Sequence, residues 1–146
     1  MPTFLDDQDR QTILGRLAQL DPERPGLWGK MNAGEMICHL GDQMRVALGD
    51  LPSRQQGNLF TRSLLKWAIV YLPIKAPPGK IPTVREMKTT KPASWDDDLA
   101  ELRALVERLP ETDEVFPHPV FGNMSKKQWG RLAASHFDHH LRQFGV

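Results

Sequence analysis

Three of the chain's five histidines fall in Ser135-His136-Phe137-Asp138-His139-His140. The informative spacing is His136 to His140. On a helix, residues four apart share one face, with Cβ atoms roughly 5–6 Å apart. Two imidazoles so placed can bind one metal ion, and a third protein ligand leaves open coordination positions. Such an ion can acidify water or hold a thiol as its thiolate.

These histidines need a helix to place them. At about 100° per residue, Trp129, Leu132, Ala133, His136, His140 and Phe144 form one stripe. Lys127, Arg131, Asp138 and Arg142 project to the other side. His136 and His140 therefore point with the apolar residues into a core, and His139 lies at the stripe's edge. Buried imidazoles need partners. One metal ion would serve both rings, while carbonyls, carboxylates or water would serve each separately.

A third ligand must come from elsewhere. His39 and His118 are the candidates, with Cys38 behind them. His39 stands in a row with Glu35 and Gln43, bordering an apolar face of Met36, Leu40, Met44 and Ala47. At that edge a histidine is ordinarily half exposed. Glu35 and Gln43 are placed to orient a metal-bound ring or simply to meet solvent. His118 lies between prolines and suits a turn.

Helical periodicity runs through the rest of the chain. A first helix is predicted over about Asp6 to Leu20, with Leu5, Ile13, Leu14, Leu17 and Leu20 inward. A second spans Asn32 to about Leu48, capped by Asn32 with Glu35 and stopped by Gly49-Asp50-Leu51-Pro52. A third covers Leu59 to Leu72, with Phe60, Leu64, Trp67, Ala68 and Tyr71 at helical spacing. A fourth runs from about Ser94, its expected cap, to Leu109, its first turn carrying Asp96, Asp97 and Asp98. The last starts at Ser125, where Ser125 with Gln128 fits a capping box, and ends near Phe144. No strand is convincing. The expectation is a single all-α domain over residues 1–146, with up to four main helices and one short or peripheral one.

Composition narrows the functional classes. With 146 residues, 40% hydrophobic and 25% charged, the chain fits one soluble globular domain. A net charge of +1 gives no bulk electrostatic case for nucleic acid or an acidic membrane. One cysteine, Cys38, excludes an intrachain disulfide and suits a cytoplasmic protein. The start, Met1-Pro2-Thr3-Phe4-Leu5, has no basic region and no long apolar run, so no secretory signal is expected. The most apolar stretch, Leu64 to Ile74, is too short to span a bilayer and reads as a buried helix. A long loop over residues 73–93 carries five prolines and Lys75, Lys80, Arg85, Lys88 and Lys91 against one acid, Glu86. It suits a solvated surface, or a site that attracts an anionic thiol or acid.

The stretch Trp28-Gly29-Lys30-Met31-Asn32-Ala33-Gly34-Glu35-Met36-Ile37-Cys38-His39-Leu40 resembles the second-helix motif of the DinB/YfiT-like superfamily. The end of the chain, from His118-Pro119-Val120-Phe121-Gly122 through Trp129-Gly130 to His136-Phe137-Asp138-His139-His140-Leu141-Arg142-Gln143-Phe144-Gly145, is similar to an uncharacterised bacterial branch of it. The resemblance implies a four-helix bundle of up-down-down-up course. It also implies a divalent metal held by one histidine of the second helix and two of the last, here His39, His136 and His140. Some members of that superfamily are transferases or isomerases dependent on low-molecular-weight thiols, and many pair as homodimers.

The expected site is thus three histidines around a divalent ion, zinc or nickel, with a small-molecule substrate. Thiol S-transfer or isomerisation is the first reading. Metal-dependent hydrolysis is an alternative, and so is a non-catalytic ligand-binding or structural bundle. Glu35 is a candidate general base that can equally serve its helix cap.

Overall fold

The computed structural model describes residues 1–72, 75 and 85–146. Its regular elements are helical: α1 (Asp7–Leu17), α2 (Ala33–Leu48), a wide π turn (Thr61–Leu65) that leads into α3 (Lys66–Tyr71), a 3-10 turn (Arg85–Lys88), α4 (Trp95–Glu111) and α5 (Lys126–Gln143). Among the described residues there is no strand, only an isolated bridge between His118 and Gly122.

Local chemistry sets most helix ends. Asn32 with Glu35 and Ser125 with Gln128 form reciprocal capping boxes, so α2 and α5 begin where their sequences place them. Gly49, at φ 82°, closes α2 in the left-handed conformation that a side chain would disfavour. The first helix stops at Leu17, short of Leu20, which is nonetheless buried. Ser94 stands at the N-cap of α4 without a capping bond, and the Asp98 carboxylate accepts from the Ala93 N–H instead. The α4 helix continues through Pro110 to Glu111, and Lys126 donates to the carbonyls of Pro110 and Thr112.

Packing follows the apolar faces. Helices α1 and α2 both lie on α5, and α2 also packs on α4 and on the 3-10 turn. Their shared core includes Leu17, Met36, Leu40, Leu109, Phe137 and Leu141. Phe4, which precedes α1, is fully buried edge-on against Phe137 at 4.9 Å between ring centres. On the surface, Arg10 bonds Glu107 and so links α1 to α4.

One expectation is corrected. The helical stretch from Leu59 to Tyr71 is not buried. Its inner residues Leu65, Ile69 and Val70 pack on a smaller cluster with Val46, Phe121 and Trp129. Leu59, Phe60, Leu64, Trp67 and Tyr71 face solvent. The stretch is apolar on two faces, and the core covers only one. Ile74 and Lys80 lie outside the described residues.

Candidate metal centre

Two helices bring the site together. His39 sits in the middle of α2, and His136 and His140 stand one turn apart on α5 where the two helices pack. His39 and His140 are buried, and His136 is partly so. The Nε2 of His136 lies 3.0 Å from that of His39 and 3.1 Å from that of His140. The rings stand edge to face, with centres 4.7–4.9 Å apart and planes inclined by 73–86°. Three nitrogens thus converge from three directions. That is how imidazoles face a common tetrahedral ion, whose bonds to nitrogen are about 2.0–2.1 Å.

The outer nitrogens explain why the inner ones are bare. The Nδ1 of His39 meets the Met87 carbonyl at 2.7 Å, that of His136 meets Gln43 Oε1 at 2.7 Å, and that of His140 meets Gln143 Oε1 at 2.7 Å. An oxygen acceptor requires N–H at Nδ1, which leaves a neutral ring with its Nε2 lone pair exposed. Gln143 is fixed in that sense, because its Nε2 donates to the Trp28 carbonyl at 2.6 Å. With Nδ1–H on all three rings, the Nε2 lone pairs face one another at 3.0 and 3.1 Å, an arrangement that a shared cation would relieve.

Electrostatics keep the rings neutral. Burial lowers the pKa of His39. Burial, reinforced by the nearby His39, lowers His140 to about 3. Burial and then the neighbouring His39 and His140 hold His136 well below the ordinary imidazole range. Neutral imidazole is the metal-binding form.

Each ring also has a second layer of support. The Met87 carbonyl is held by residues that follow it. Buried Asp42 accepts from the N–H groups of Thr89 and Thr90 and from both threonine hydroxyls. Arg45 completes the network, bonding Asp42 at 3.0 Å and Glu101 at 2.8 Å. On the other side, Gly29 (φ 81°) lets Gln143 approach. A Cβ there would lie 2.6 Å from the Gln143 amide nitrogen.

The remaining candidates are placed elsewhere. His118 shapes a turn, as expected. Its Nδ1 accepts from the N–H groups of Val120 and Phe121, and its ring stacks on Phe121. Cys38 is buried, and burial, with Asp98 adding to it, pushes its thiol up to about 11. That describes an inert side chain. His139 stands edge-on to Trp28 and His140. Glu35 is exposed, and its carboxylate accepts from the Asn32 N–H in the capping box. Among the described residues no carboxylate or thiolate joins the three histidines.

Gln43, one of the residues expected to orient an imidazole, bonds His136 rather than its row neighbour His39. Sequence reasoning missed Gln143, although a glutamine three residues after His140 is readable as a partner on the same helix face. Nothing local could reveal the Met87 carbonyl or Asp42.

No curated protein and no solved structure matches the chain. The profile of one family, described as "Protein of unknown function (DUF1569)", matches residues 3–145, and the chain belongs to that family.

Proposed function

We propose that this member of the DUF1569 family binds one divalent metal ion through the Nε2 atoms of His39, His136 and His140 and uses it on a small-molecule substrate. The carrying observation is the convergence of three lone pairs at 3.0 and 3.1 Å while every Nδ1 faces an oxygen. A trio of imidazoles suits zinc or nickel.

The fold we propose around this site is a DinB-like four-helix bundle of up-down-down-up course, formed by α1, α2, α4 and α5 as one domain. The mutual packing of these helices and the positions of the three histidines support it. On that resemblance the first activity is thiol S-transfer or isomerisation with a low-molecular-weight thiol. An ion with open positions supplies Lewis acidity that favours the anionic form of a thiol or water presented to it. The chain's own groups would hold that ion and keep the imidazoles neutral. The set of three ligands among the described residues favours chemistry over a structural role, since structural zinc sites are closed by four protein ligands. Hydrolysis would use the same ion with water in place of the thiol.

The test is metal analysis of protein purified without a histidine tag, beside His136→Ala. The expected result is close to one equivalent in the wild type and little in the variant. Less than about a tenth of an equivalent after incubation with zinc or nickel would overturn the site, since a complete donor set binds tightly at neutral pH. A screen of thiols with electrophilic acceptors, repeated without thiol on ester substrates, then separates transferase from hydrolase.

A further inference from the structure

The helical stretch 59–71 presents an apolar and aromatic face that the core does not cover. Leu59 is 85% exposed, Phe60 56%, Leu64 59%, Trp67 53% and Tyr71 37%. Side chains of this kind seldom stand together on a free surface without a partner. The opposite face is anchored by Val70 in the smaller core cluster. The stretch is therefore held against the fold and displays its second face outward.

Charge identifies what that face fits. Residues 51–75 contain four Lys or Arg and no acid, which is +4 in a chain of net +1; the remaining residues sum to −3. The near-neutral total thus averages two opposite regions. Cations accompany this stretch: Arg54, Arg62 and Lys75 are exposed, and Arg131 lies over the Tyr71 ring at 5.1 Å. From Leu51 to Lys75 there is no acid. Leu, Phe and Trp on one side with Lys and Arg around them is the pattern of a helix that lies in a membrane interface. Tyr and Trp suit the headgroup level, where one end of the ring is apolar and the other wet.

We propose that this face docks the protein on an anionic lipid surface, with Phe60, Leu64 and Trp67 entering the headgroup boundary and Arg54, Arg62 and Lys75 meeting lipid phosphates. A second copy fits less well. A two-fold contact sets a patch against its own image, which here opposes two cationic surfaces. An anionic bilayer complements the apolar and the charged parts together. No helix among the described residues is long and apolar enough to cross a membrane, so the contact is peripheral.

Sedimentation of the full chain with lipid vesicles tests this, comparing phosphatidylcholine alone with phosphatidylcholine containing about 30 mol% phosphatidylglycerol. The expected partition onto the anionic vesicles is about tenfold or more above the neutral ones, falling severalfold between about 50 and about 500 mM salt. Leu64→Gln with Trp67→Gln should lose about tenfold, and Arg62→Gln about fivefold. Both variants should keep the wild-type thermal midpoint and metal content, because these side chains are exposed and distant in sequence from the histidines. No binding to anionic vesicles, equal binding to neutral ones, or binding undiminished in the Leu64/Trp67 variant would each overturn the proposal. So would a dimer in sedimentation velocity that the same variant dissociates while vesicles bind neither form; the occupant would then be a second copy.

Discussion

His140 depends on a short relay: its Nδ1–H donates to Gln143, whose amide donates to the Trp28 carbonyl beside Gly29. Losing such an outer partner typically lowers metal affinity about 10–100-fold. Gln143→Leu should therefore weaken metal binding by about that factor in a chelator competition, with the metal-free fold retained. Unchanged affinity would mean that packing alone aims the ring. Gly29→Ala should act in the same direction, because its methyl would displace the Gln143 amide and strain a left-handed backbone. Glu35 is best separated from its helix cap by two variants. Glu35→Gln keeps a side-chain oxygen for the Asn32 N–H, whereas Glu35→Ala removes it. If Glu35 moves a proton in the reaction, both variants lose turnover. If it only caps α2, Glu35→Gln retains activity, and Glu35→Ala costs a few tenths to about 1 kcal/mol in urea unfolding.

Between elements, Asp42 fastens the segment Met87–Thr90 to α2. Four donors from Thr89 and Thr90 meet one buried carboxylate. Burial raises its pKa, but the bonds from Thr90 and Thr89 outweigh this and leave it below the ordinary carboxylate value. A lowered folded pKa gives stability that is present above the unfolded value, about 3.9, and lost as pH falls through the folded one. Asp42→Ala would leave several of these donors and Arg45 without their acceptor. It should cost at least about 2 kcal/mol in urea unfolding. Hydrogen exchange should then speed at Thr89 and Thr90, and metal affinity should fall because His39 loses its fixed carbonyl. Full stability in Asp42→Ala would show that the segment is held by Met87 packing alone. The capping boxes of α2 and α5 were legible because they are written within four residues. This latch joins positions 47 and 48 residues apart, a distance that no local periodicity reports.

At the scale of the whole molecule, the buried His39, His118 and His140 and the partly buried His136 have lowered pKa values. Burial dominates in each, bringing His118 to about 4 and His140 to about 3. For a base whose folded pKa is depressed, stability is complete above the unfolded value of about 6.5. It declines as pH falls below that, because the unfolded chain takes up protons that the folded chain refuses. The thermal midpoint of metal-free protein should therefore fall steadily from about pH 6.5 towards pH 4, before the carboxylates titrate. A midpoint flat over that range would contradict the buried neutral state. Metal should raise the midpoint, adding about 2.7 kcal/mol of stability when the free ion is a hundredfold above its dissociation constant. His136→Ala should abolish that increment, as differential scanning calorimetry would show.

Sequence alone determined the main helices, the capped starts of α2 and α5 and the pair at 136 and 140, because caps and four-residue spacings are local properties of one helix. It also contained the double apolar character of the stretch after Leu59, but periodicity cannot say which face a core will cover. Tertiary packing decided that one face stays outside. It also drew His39 from the edge of its helix into a buried position opposite α5, and set a distant carbonyl behind it. A ligand set shared by two helices exists only once those helices are docked, since its distances depend on how the cores interlock rather than on any spacing along the chain.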